Sequence, residues 1–275
     1  MNVTILGCGY IGTAVARCWQ SQPDRQYTLT VTTTTPERLS ELAEIADRTL
    51  VVESQNLDAL KTALTDQQVV LVTVGAKNRS NYETAYLKTA QNLLQVLPAT
   101  VRQIIYTGSY AVYGDQQGKW VDEETPIAPV NENSEILAAT ERVFLSAISE
   151  RLQVCLFRVG GIYGSGRELI KIFGRTAGTT RPGDGSDASN WVHQDDIVGA
   201  IDFAVQHQLS GIYNLVQTHP VTTGELFARL MAQHHLPPIT WDPSQPSPRP
   251  YNARVSNQKL RSAGYVFQHP ELEYS

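Results

Sequence analysis

Three glycines near the start of the chain, Gly7, Gly9 and Gly12 in "ILGCGYIG", stand in the G-x-G-x-x-G spacing. Glycine has no Cβ, so such a spacing lets a backbone turn tightly and lie close to a phosphate. The apolar run "NVTIL" comes before it and an apolar-periodic stretch after it, which predicts strand, turn and helix in that order. In that context Gly7 makes the turn, Gly9 admits a pyrophosphate, and Gly12 lets helix and strand pack closely. The helix start at Tyr10, Ile11 and Gly12 then offers N–H groups and partial positive charge to the phosphates. The chemistry implied is the binding of a dinucleotide.

The residue that ends the second strand selects between dinucleotides. A carboxylate there favours NAD by bonding the ribose 2′-hydroxyl. This chain has "LTVTTTTPERL", with no carboxylate before Glu37. Thr33 and Thr34 offer hydroxyls, and Arg38 stands where a guanidinium can reach a 2′-phosphate, so NADP is favoured over NAD. A plainer reading has the threonines capping a helix that opens at Pro36, with Arg38 solvated. Three cysteines, Cys8, Cys18 and Cys155, form no C-x-x-C pair and fit a reduced, cytoplasmic setting. Cys8 lies inside the glycine loop, where a small filler is the simpler role than a reactive thiol. The six histidines show neither H-x-x-x-H nor H-E-x-x-H spacing, and no metal site is expected.

The elements that must hold these residues follow from the pattern of apolar runs. Strands are predicted at 3–6, 27–32, 50–52, 69–74, 103–107, 153–158 and 212–215. Helices are predicted at 11–20, 36–46, 57–64, 82–97, 134–150, 197–205 and 223–234. This alternation predicts an α/β protein: a Rossmann-type, doubly wound parallel sheet wrapped by helices. Residues 174–190 read as a long polar loop, Asp195 as the N-cap of the helix at 197–205, and the proline-dense 236–251 as an extended surface crossing. The Rossmann domain is expected over 1–165, completed by 190–215. A small substrate lobe is expected over 166–189 and 216–275.

At 275 residues, with 41% hydrophobic and 18% charged residues, the chain matches a globular protein able to bury a large core. A net charge of −5 argues against a nucleic-acid partner. No apolar run approaches the ~20 residues that span a bilayer, and the N-terminus has no basic, signal-like region.

Four further stretches now fall in one order: "IIYTGSYAVYG" (104–114), "RVGGIYGSGREL" (158–169), "NWVHQDDI" (190–197) and "GIYNL" (211–215). With the glycine loop they resemble the extended short-chain dehydrogenases/reductases, the NAD-dependent epimerase/dehydratase group, over about residues 1–270. The resemblance implies a dinucleotide across the strand C-termini and a small-molecule substrate. It places Val74, Gly75 and Ala76, with Thr107 and Gly108, beside the cofactor. Ser109 matches the Ser/Thr that bonds the reacting oxygen, and Tyr113 and Gly114 match the segment lining the substrate pocket. Family members often pair as homodimers through the helices at 82–97 and 134–150.

Two departures qualify the resemblance. The family's Tyr-x-x-x-Lys, anchored on the Glu that Glu141 matches, falls here on Asn133 and Leu137, which supply neither proton nor charge. The glycine spacing is also shorter than the usual G-x-x-G-x-x-G. Both features resemble the atypical branch, which keeps the nucleotide fold without the usual pair. Tyr110 and Ala111 occupy the acidic positions of the dehydratases, so sugar dehydration is disfavoured. A proton donor must come from elsewhere: Tyr113 and Tyr110 are nearest Ser109 in sequence, and Tyr163 follows the sixth strand. Tyr110, Tyr163, Arg181 and His193 are also candidates for substrate contacts. Each also fits as a packed or structural residue. Two functions remain: an NAD(P)-dependent oxidoreductase or epimerase with a nonstandard donor, and a non-catalytic NADP(H) sensor.

Overall fold

The computed structural model describes residues 1–23, 26–76 and 78–274. Seven strands form one parallel sheet: β1 (Asn2–Leu6), β2 (Thr28–Thr33), β3 (Arg48–Val51), β4 (Val69–Val72), β5 (Gln103–Ser109), β6 (Gln153–Val159) and β7 (Gly211–Leu215). Their spatial order is β7-β6-β5-β4-β1-β2-β3. The order reverses at β1, the position where doubly wound sheets bind ligands at strand C-termini. β4, "VVLV", is buried at every residue, as expected of a parallel strand covered on both faces.

Helix α1 (Tyr10–Gln20) buries Ile11, Val15 and Trp19 at four-residue spacing, with Gly12 and Ala16 beside them, so one stripe faces the sheet. The indole of Trp19 donates to Asp202 at 2.7 Å. Pro36 starts a 3₁₀ turn over Pro36–Arg38, and only Leu39–Ala43 (α2) continues as α-helix. α3 (Leu57–Leu64) matches its expected span and is capped by Asn56, whose side chain accepts from Ala59 N–H at 3.0 Å. The helix expected over 82–97 begins with a π-helical turn at Thr84–Lys88 and becomes α-helical at Thr89–Gln95 (α4). α5 (Glu132–Leu145) starts earlier than its apolar periodicity suggests, because Asn131 caps it by accepting the Ser134 N–H. It stops before 150, where Ser149 and Leu152 pair in a turn.

By internal contacts the chain divides into two units. The first comprises 1–108, 135–157 and 198–212. Its core contains Leu60, Val72, Leu93, Ile104, Tyr106 and Phe144. The second comprises 109–134, 158–197 and 213–275. One of its clusters joins Tyr163, Leu169, Leu226, Phe227 and Leu230, and another joins Tyr110, Tyr113, Val121 and Val255.

The second unit departs furthest from expectation. Residues 174–190, read as a loop, contribute the short strands Thr180–Pro182 and Ala188–Ser189. These pair with Thr240–Asp242 and Val221–Thr222, partners too remote in sequence for a local pattern to reveal. After α6 (Leu169–Phe173), α7 (Gln194–Gln206) begins before Asp195, so Asp195 lies in its first turn and is not its cap. The ring of His193 accepts the Asp195 N–H instead. α8 (Thr223–Gln233) opens with a capping box between Thr222 and Glu225. Among the described residues, no helix is long and apolar enough to cross a membrane.

Candidate functional site

In the first unit the three glycines have three distinct physical reasons. Gly7 sits at φ +85°, and a Cβ there would lie 2.9 Å from the Val74 Cα. Gly12 is tightly enclosed: a Cβ there would meet Thr73 Oγ1 at 2.8 Å and the Gly7 carbonyl oxygen at 2.9 Å. Gly9 is different, because the nearest atom to its Cβ position is 4.0 Å away. The fold therefore requires Gly7 and Gly12, whereas the space over Gly9 is left open for something to approach.

The loop is held rigidly around that opening. Gly7 N–H donates to Thr32 Oγ1 at 3.1 Å, and Cys8 N–H to the Thr32 carbonyl at 2.8 Å. Thr73 Oγ1 donates to the Gly7 carbonyl at 2.9 Å. Arg38 donates to the Cys8 carbonyl at 2.6 Å and to Thr13 Oγ1 at 3.3 Å. α1 has no acidic residue in its first turn, so no carboxylate competes for its N-terminal field. The Ile11 side chain is buried, and what it can offer a ligand is backbone N–H. Half-buried Tyr10 lies beside it at the helix start. An open Gly9 under a helix N-terminus fits a pyrophosphate, and the donors that a helix start offers are neutral amides.

The residues expected around the rest of the cofactor are less uniform. Thr33 is buried and its hydroxyl oxygen accepts the Thr35 N–H, so the exposed hydroxyl belongs to Thr34. Arg38 is only partly exposed: a two-point pair with Glu41, both contacts at 3.2 Å, holds its guanidinium over the loop. Glu41 raises the Arg38 pKa further, and Arg38 in turn lowers that of Glu41. Val74 packs against Gly7, Gly75 is exposed with open space where a Cβ would stand, and Ala76 is half-buried. Thr107 donates to the Val72 carbonyl at 3.3 Å, and Gly108 lies against the Tyr106 ring. Burial pushes the Cys8 thiol up, with a Thr13 hydrogen bond and the Arg38 charge opposing. Such a thiol is a filler, not a nucleophile.

In the second unit, Ser109 Oγ accepts the Ala111 N–H at 3.2 Å and caps the 3₁₀ turn Tyr110–Tyr113. Its own hydroxyl hydrogen is left to donate elsewhere. Tyr113 is fully buried and donates to Asn214 Oδ1 at 2.9 Å, beneath the Arg158 guanidinium at 4.6 Å from its ring centroid. Burial pushes its pKa up to about 12. The hydroxyl hydrogen of this buried phenol is therefore engaged by Asn214 within the fold. Asn214 is fixed in turn by Glu123, which accepts its N–H at 2.6 Å, and by the Ser256 carbonyl.

The remaining candidates are equally occupied. Tyr110 accepts from Arg249 at 3.0 Å, and Arg249 also donates to Thr223 Oγ1. Tyr163 is buried; its hydroxyl accepts the Glu273 N–H at 3.3 Å, and burial pushes its pKa up to about 12. Arg181 stacks over Phe227 at 5.0 Å. His193 stacks on His269 with ring centroids 3.8 Å apart, and meets Tyr163 edge-on at 5.0 Å. Burial and the neighbouring His269 lower the His193 pKa. Sequence reading missed Asp196, which is fully buried and accepts the backbone N–H groups of Gln268 and His269 at 2.7 and 2.9 Å. It also missed Glu123, Asn214, Arg249 and His269. The adjacent acids of "HQDDI" were a signal, but nothing local says that the second faces inward.

A parallel sheet in this strand order, with an open glycine cradle at the switch point, defines a dinucleotide-binding protein of the Rossmann type. The chain belongs to the NAD dependent epimerase/dehydratase family, whose model matches residues 3–215. It is similar to Protein YeeZ of Escherichia coli (strain K12), at 32% identity over 230 residues, covering 80% of this chain and 79% of that protein. Its fold is similar to that of human epimerase family protein SDR39U1 (isoform 2) with NADPH. That match has a TM-score of 0.78 and 17% identity, and covers 98% of this chain and 96% of the other. The UDP-glucuronic acid 4-epimerase from Bacillus cereus, in complex with NAD, matches with a TM-score of 0.76 at 15% identity, covering 100% and 95% of the two chains.

Proposed function

We propose that the chain binds NADP in preference to NAD and acts as an oxidoreductase or epimerase on a small polar substrate such as a nucleotide sugar. The observation that carries this reading is the open space over Gly9 between two glycines that the fold itself demands. NADPH and NAD in the structures of similar fold support the dinucleotide class. Arg38, held over the glycine loop with no carboxylate ending β2, supports the preference for a 2′-phosphate. When bound, the nicotinamide supplies hydride transfer. Ser109 has a hydroxyl proton to donate to a reacting oxygen, and the remaining proton transfer falls to a group other than the usual tyrosine.

A second reading is favoured by one specific observation. Asn133 and Leu137, both on α5, supply no acid and no ammonium, and Leu137 is buried. A protein that binds NADP(H) to report its redox state needs neither group. Calorimetry with NADPH and NADH tests the binding shared by both readings. NADPH oxidation over a panel of sugars, nucleotide sugars and carbonyl compounds separates them, with turnover expected to fall in Ser109→Ala. Turnover that is indifferent to Ser109→Ala removes the assigned role of that hydroxyl. Binding without turnover favours the sensor.

A further inference from the structure

The stacked histidines of the second unit carry an inference independent of the dinucleotide. His193, Asp195 and His269 come together although His269 lies far along the chain from the other two. Asp195 Oδ2 is 3.5 Å from His193 Nδ1 and 3.5 Å from His269 Nε2. The three ligand atoms all lie within 4.8 Å of one another. Ligands of a four-coordinate zinc, bonded at about 2.1 Å, stand about 3.4 Å apart along each tetrahedral edge. Two edges of such a polyhedron already exist here.

The tautomers sharpen the point. His269 Nδ1 lies 2.5 Å from Glu273 Oε1, and a carboxylate can only accept, so Nδ1 carries a proton and, in the neutral ring, the lone pair is at Nε2. His193 Nδ1 accepts the Asp195 N–H at 3.2 Å, so the lone pair of that ring also sits at the nitrogen nearest Asp195 Oδ2. Two imidazole nitrogens and a carboxylate oxygen thus converge, and a cation seated beside Asp195 Oδ2 takes over the His193 lone pair that the Asp195 N–H now occupies. Three electron-rich atoms in that relation call for a positive charge. A carboxylate behind one imidazole is moreover the usual outer partner of a metal-ligating histidine.

We propose that His193, Asp195 and His269 bind a divalent transition-metal cation through Nδ1, Oδ2 and Nε2, with Glu273 orienting His269 and solvent completing the coordination. Two imidazoles and one carboxylate select zinc over magnesium or calcium. The rings are largely covered, with His193 13% and His269 19% exposed, while Asp195 at 57% opens the site to solvent. The backbone of His269 is fixed by Asp196, so the ligands are pre-positioned. Bound metal ties the segment carrying His269 to the start of α7.

The test uses the full chain, stripped with a chelator and titrated with zinc against a chromophoric competitor. One equivalent is expected, weakened on the order of 100-fold or more in His269→Ala and Asp195→Asn. In Glu273→Gln the loss expected is about 10–100-fold, as for other outer-shell partners. His219→Ala, a histidine elsewhere in the chain, leaves affinity unchanged. Circular dichroism confirms that each variant is folded, and cobalt spectra without thiolate charge-transfer bands exclude the cysteines. Zinc also raises the melting temperature of the parent chain and not of His269→Ala. Equal affinity in parent and His269→Ala, or no stoichiometric binding by the folded parent, overturns the proposal. The convergence of the three atoms would then be filled by a proton on His269.

Discussion

Around the glycine loop of the first unit, contacts run mostly between backbone groups and short side chains, Thr32, Thr73, Thr13 and the amides of Gly7 and Cys8, with the Arg38 guanidinium on the Cys8 carbonyl. In the second unit, by contrast, whole side chains meet: Tyr113 with Asn214, Tyr110 with Arg249, Asp196 with Gln268 and His269. The first arrangement leaves an opening bounded by neutral donors. The second fills its interior with satisfied polar pairs. A centre built from backbone tolerates little change in shape but needs few residue types. A centre built from side chains depends on each partner, because removing one strands the other in a buried place.

That contrast can be broken most sharply at the glycines. Gly9→Val should leave the fold intact and abolish NADPH binding by calorimetry, since its side chain enters open space. Gly12→Val should instead lower stability by about 1–3 kcal/mol through overpacking against Thr73 and Gly7. If both variants unfold alike, the division of labour among the glycines is wrong. In the second unit, Asp196→Ala leaves two backbone N–H groups without their acceptor, and a loss on the order of 3 kcal/mol in urea unfolding is expected. A change under about 0.5 kcal/mol would show that water replaces the carboxylate.

Arg38→Ala is a smaller perturbation. NADPH affinity should fall about tenfold or more relative to NADH, as for loss of a hydrogen bond between charged groups. Stability should change by less than about 1 kcal/mol, because the Glu41 pair is partly exposed. Equal weakening of both cofactors would mean that Arg38 acts by bracing the Cys8 carbonyl and not by reading a phosphate. The smallest effect concerns Cys8. Its folded thiol pKa lies above the ordinary value, so the thiolate fraction at pH 7–8 is lower than in the unfolded chain. Alkylation followed by mass spectrometry should therefore modify half-buried Cys18 before buried Cys8. Cys8 should react only as pH rises beyond the usual thiol range. Early modification of Cys8 would mean that the loop opens.

The same contrast explains what could be read from the sequence. The strand–turn–helix around Gly7, Gly9 and Gly12 lies within a few residues, so spacing alone carries its geometry. The helices α1 and α3 repeat an apolar face at helical period, and their bounds follow. Pairings such as Thr180–Pro182 with Thr240–Asp242 have no local signature. Nor do Tyr113 with Asn214, 101 residues apart, or Asp196 with His269, 73 apart. At Tyr113 residue type says nothing of burial, so neither its seat in the core nor its bond to Asn214 was legible locally. At His193, local spacing gave no hint of a second histidine stacked upon it.

Gly9 differs from its two companions in a way that bears on descent. Gly7 and Gly12 answer to the fold, so any relative that keeps this sheet and helix must keep them or rearrange its backbone. Gly9 is under no such steric demand from the fold, and on the proposed reading it answers to a ligand alone. A lineage that abandoned the nucleotide while retaining the architecture would be free to accumulate larger residues at that one position. The side chain found there in a descendant is then a record of whether the cofactor was still in use.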